Sequence, residues 1–149
     1  MLQDFAQSPF FLYNGSMIDH PKMIQFDNQM KAMLDEVDNY IEDKYGDLYP
    51  LHPVRPKRNE TSNPQADGLF SVRADFTPGF GSELGRGYIL KVEMKTLSEI
   101  PEDVRQTIFT DAVKKIESLL SKYFPERKLE VKQDGNFCKI VGDFNLGIV

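Results

Sequence analysis

The stretch Thr77–Tyr88 reads TPGFGSELGRGY, with Gly79, Gly81, Gly85 and Gly87 inside nine residues and Arg86 between the last two. Glycine-rich loops bind phosphate when successive backbone N–H groups converge on one anion and a guanidinium completes the charge balance. A second cationic group, Arg55, Lys57 and Arg58, stands in the segment PLHPVRPKR, and Arg73 lies on the strand before the glycines. Together these residues define a candidate site for an anion or a phosphate-containing small ligand. The established phosphate loops do not fit. A P-loop and a dinucleotide fingerprint both open a helix, whereas YILKVEMK, with a period of two, follows here. A kinase glycine loop does join two strands, but its Gly-x-Gly-x-x-Gly spacing differs from this one, and no His-Arg-Asp or Asp-Phe-Gly follows. The competing reading is a hairpin connection in which the glycines supply positive φ and Gly87 forms a bulge.

Other reactive residues are sparse. His20 and His52 are the only histidines, and neither sits in a metal-ligand pattern. Asp35, Asp38, Glu42 and Asp43 read as the solvated face of a helix, with Lys31 one turn before Asp35 as a partner. Cys138, the single cysteine, reads as a small hydrophobe. Residues 50–55 match Pro-x-x-Pro-x-Arg, a pattern of polyproline-II ligands. No catalytic motif, metal cluster or cofactor fingerprint stands out, so no catalytic residue, metal or cofactor is assigned.

The elements that must position these residues follow from periodicity. Phe26, Met30, Met33, Val37, Tyr40 and Ile41 recur at helical spacing after Asp19, a candidate N-cap, and before Gly46, a candidate C-cap. Residues 46–67 hold four prolines and form a long basic loop. In FSVRADFT and YILKVEMK, Phe70, Val72, Ala74, Phe76 and Tyr88, Leu90, Val92, Met94 define one apolar face. Antiparallel pairing would interleave Arg73 and Asp75 with Lys91 and Glu93 on the other. A second helix starts at Ser98 as N-cap, buries Val104, Ile108, Ala112, Ile116, Leu119 and Tyr123, and stops at Pro125. Asp134-Gly135 predicts a two-residue turn that sets Val131 opposite Cys138, Leu129 opposite Ile140 and Glu130 opposite Lys139, the last pair facing outward.

These elements predict one α+β domain over residues 1–149, in two layers and in the order α-β-β-α-β-β. A four-stranded antiparallel sheet carries both helices on one face. Residues 1–18 form an N-terminal arm whose Phe10–Tyr13 patch could dock on a sheet edge or on a neighbouring molecule. Strand order stays open. The 149 residues, 40% apolar and 28% charged, suffice for a core without disulfides. A net charge of −5 makes nucleic acid an unlikely partner. No apolar run reaches membrane-spanning length, and the N-terminus lacks the pattern of a signal peptide. The expectation is a cytoplasmic, non-catalytic binding or regulatory domain acting through protein–protein contacts or self-association. The alternative is the anion site at the glycine loop.

Overall fold

The apolar stripe from Phe26 to Ile41 winds into helix α1, Pro21–Tyr45. The computed structural model describes residues 21–144, so Asp19, His20 and the Phe10–Tyr13 patch lie outside the described residues. Gly46 closes α1 by donating to the Glu42 carbonyl. Strands β1, Phe70–Thr77, and β2, Gly87–Met94, form an antiparallel hairpin in which Phe70 faces Met94 and Thr77 faces Gly87. Helix α2 is Glu102–Tyr123. Strands β3, Leu129–Asp134, and β4, Phe137–Gly142, form the second hairpin. The sheet order is β1-β2-β4-β3, antiparallel throughout.

The fold is therefore α+β, with the two helices over a four-stranded antiparallel sheet. Phe70, Val72, Tyr88, Leu90 and Ile140 from the sheet meet Phe26, Met33, Val37 and Ile41 of α1 and Ile108, Ala112 and Ile116 of α2 in one buried core. Burial of this apolar area is the main stabilising term. Phe26, Tyr88 and Phe144 add tilted and edge-on ring contacts at one end, with centroids 5.4–6.0 Å apart. On the opposite sheet face Arg73 pairs with Glu93 and Asp75, and Lys91 pairs with Asp75, the interleaving that alternation predicted.

Three local expectations are corrected. Helix α2 begins at Glu102 with Pro101, not Ser98, before it, and no side chain caps it. The residue preceding a proline is disfavoured in helical geometry, so the helix cannot extend back through Pro101. The second turn is centred on Gly135-Asn136, since Asp134 faces Phe137. Gly135 has φ +63°, and a glycine of positive φ at the first central position suits a primed turn. Val131 therefore faces Ile140, and Glu130 faces Val141 rather than Lys139. The shift is two residues, so the side chains keep their faces. Finally, Asp38 and Glu42 are not on the solvated face of α1: they are 3% and 7% exposed.

Candidate functional site

The glycines and the basic loop do not converge. Arg86 sits at the glycine end of the β1–β2 hairpin and Arg55 beside its other end, near Phe70. The eight-residue strand between them spans roughly 25 Å at about 3.3 Å per residue. Arg55 is committed inward. Its Nε donates to the Gly68 carbonyl, and Nη2 donates to those of Gln65, Asp67 and Phe70. It folds the proline-rich loop onto the start of β1, so it is not displayed as the arginine of a Pro-x-x-Pro-x-Arg ligand. Arg58 pairs with Asp43 at 2.7 Å. Lys57 borders a shallow pocket of about 600 Å³ whose walls also carry Glu42, Asp43 and Asp47. Arg73 is held by Glu93 and Asp75.

The glycine loop encloses a cation. Lys139 is 2% exposed. Its Nζ donates to the Gly85 carbonyl at 2.7 Å, to Ser82 Oγ at 3.3 Å and to Asp134 Oδ2 at 2.7 Å. Ser82 Oγ in turn donates to Asp134. Alternation does put Lys139 on the face away from the helices; Gly79–Gly87 then folds over it, replacing its water with three oxygens. Gly79, at φ +76°, would place a Cβ 2.0 Å from the Gly85 carbonyl oxygen. Gly81 and Gly85 also have positive φ. The lysine hydrogen bond is the main cause that holds the Asp134 carboxyl below the usual range. Arg86 is exposed beyond this closed ring, and Gly87 opens β2 against the Ile140 carbonyl.

At the outer edge of β1, α1 supplies acceptors. Glu42 takes the N–H groups of Leu69 and Phe70 at 2.8 and 3.2 Å. Burial nonetheless raises the Glu42 pKa against those two bonds. Burial, and then the neighbouring Glu42 charge, push Asp38 up to about 8, although the nearby Val72 N–H opposes them. One Asp38 oxygen, Oδ2, is buried without a hydrogen-bond partner. With Arg55 on the Phe70 carbonyl, these groups close the edge strand.

The sheet leaves a different opening. β2 and β4 pair only at Tyr88–Ile140 and Ile89–Lys139. Beyond these pairs the strands diverge, and a cleft of about 800 Å³ opens between them beside α2. Leu90, Val92 and Met94 line one wall, Phe137 and Cys138 the other, and Phe109 and Val113 of α2 the third. Lys95 donates its N–H to the Leu69 carbonyl, which fixes the alternation of β2. Lys91 and Glu93 hydrogen-bond to β1, so the N–H and C=O of Val92 and Met94 point into the cleft. Among the described residues no strand pairs with them. Burial, with Glu117 nearby, raises the Cys138 pKa and keeps the thiol in its neutral form. Phe137 is 54% exposed.

Little in the sequence signals the cleft. Its one local signal is that Phe109 and Val113 lie off the Ile108–Ala112–Ile116 stripe, so α2 carries more apolar surface than the sheet beneath it covers. Among the described residues no group of His, Cys, Asp and Glu is set to hold a metal ion, and no helix is long and apolar enough to cross a membrane.

A family model described as "Uncharacterised protein" matches residues 21–142, the whole of the two-layer domain. The chain belongs to that family. It is also similar to an uncharacterized protein of Borreliella burgdorferi strain B31, 36% identical over 123 residues, which cover 83% of this chain and 96% of the relative. No solved structure matches the chain.

Proposed function

We propose that this protein is a non-catalytic binding module whose cleft between β2 and β4 takes up an extended segment of a partner protein by strand addition. One observation carries the reading: Val92 and Met94 turn their main-chain groups into a cleft, walled in part by Phe109, Val113 and Phe137, in which no described strand meets them. Main-chain bonding gives affinity in this mode, and alternate side chains entering pockets give selectivity. Leu90, Val92, Phe109, Val113 and Phe137 would receive the apolar side chains of the segment. Glu102, Arg105, Lys114 and Glu117 bring both charge signs to the margin. The lone thiol is in keeping with a reducing, cytoplasmic setting.

The test uses peptides selected from a random display library against the folded chain. Binders are expected to be apolar at alternate positions, to slow amide exchange at Val92 and Met94, and to slow alkylation of Cys138. Binders that leave all three groups unaffected would refute the reading.

A further inference from the structure

The two outer edges of the sheet are treated differently. The β1 edge is closed by Glu42, Asp38 and Arg55. The β3 edge has no such cover among the described residues: no hydrogen bond reaches the main chain of Leu129, Val131 or Gln133 from that side. Lys128 accepts from Asp143 across the hairpin, and Asp134 and Phe137 flank the two-residue turn. Even-numbered residues of β3 therefore bond to β4, and Leu129, Val131 and Gln133 direct their N–H and C=O outward.

We infer that β3 pairs antiparallel with β3 of a second copy of this chain, about a two-fold axis through Val131. The sequence Leu129-Glu130-Val131-Lys132-Gln133 is complementary to itself in that one register. Val131 meets Val131, Leu129 meets Gln133, and each Glu130 meets the Lys132 of the second copy. All three outward-directed residues then fall into hydrogen-bonded pairs, each exchanging two N–H···O bonds. Glu130 and Lys132 fall into non-hydrogen-bonded pairs, where side chains approach most closely and opposite charges attract. Both are well exposed, with side chains 61% and 48% accessible, and within one chain they stand 3.4 Å apart. They lie on the face away from the helices, while half-buried Leu129 and Val131 extend the apolar layer beneath α2 across the axis. The contact is isologous, so it closes at two copies and gives one eight-stranded sheet. A six-residue edge is small beside the usual specific interface, so association is weak and concentration-dependent.

Sedimentation equilibrium of the full chain from micromolar to millimolar tests this. The wild type is expected to pass from 17.1 kDa to twice that mass. Glu130→Lys alone and Lys132→Glu alone each set like charges opposite one another and should weaken the dimer roughly tenfold. An equimolar mixture of the two variants should recover it, because in the mixed pair every lysine at position 130 or 132 again faces a glutamate. Val131→Pro removes one outward N–H without touching the β3–β4 ladder and should abolish association. The charge variants keep the test valid if this proline unfolds the hairpin. A wild type that stays monomeric at millimolar concentration overturns the inference. So does a dimer whose affinity ignores both charge variants, or a mixture that fails to recover.

Discussion

Replacing Asp38 with asparagine tests the buried acid at the edge of β1. Asp38 is 3% exposed, leaves Oδ2 without a partner, and has its pKa pushed up from 3.8 to about 8. A carboxyl with a raised folded-state pKa stabilises the fold fully below its unfolded pKa, near 4. That contribution is lost as pH rises toward 8, because the fold disfavours the anion. Four pH units at 1.36 kcal/mol each set a ceiling of about 5 kcal/mol. Part of the effect is shared with Glu42, whose pKa is raised by the same burial. A measured loss of about 2–3 kcal/mol between pH 5 and pH 8.5 is therefore expected, or about 5–10 °C in Tm at this chain length. The Asp38→Asn variant keeps the side-chain size and cannot ionise at that position. It should match the wild type within about 1 kcal/mol at pH 5 and exceed it by several degrees at pH 8.5. Calorimetry of both proteins across this range is the assay, with Glu126→Gln as an exposed control. Parallel Tm profiles for the wild type and Asp38→Asn would refute the reasoning.

Four more substitutions probe the same geometry. Lys139→Met should cost about 2–3 kcal/mol in urea unfolding, because the Gly85 carbonyl and Asp134 lose their shared donor; amides 79–85 should then exchange faster. Gly79→Ala should cost at least about 2 kcal/mol, from positive φ and a Cβ that meets the Gly85 carbonyl. Gly81→Ala, with positive φ but open space, should cost only about 1 kcal/mol by the same assay. Arg55→Lys should cost about 1–3 kcal/mol and speed proteolysis within residues 46–67, since an ammonium cannot reproduce the forked donation to four carbonyls.

Local period and punctuation made the elements legible. The stripes of α1 and α2 and the two-residue alternation of β1 and β2 predicted the buried faces, since each depends only on residues close in sequence. Long-range contacts were not legible. Asp38 and Glu42 follow Leu34 at steps of four and flank Val37 and Ile41, but their carboxyl groups argued for solvent more strongly than their positions argued for burial. Alternation turns Lys139 away from the helices and predicts an outward-facing side chain, but it is buried, because nothing near it signals that a loop more than fifty residues earlier covers it. Arg55 looked like a displayed cation because its four carbonyl partners come from a turn assembled only in the fold. The cleft depends on how far β2 and β4 stay paired, which neither strand encodes alone.

The central claim, that β2 carries open main-chain groups into a cleft, is tested most directly by residue-resolved amide exchange on the free protein in dilute solution. Lys91 and Glu93, bonded to β1, should exchange slowly, and Val92 and Met94 at least about a hundredfold faster. Equal protection at all four amides would mean that the β2 edge is already paired, and would contradict the account.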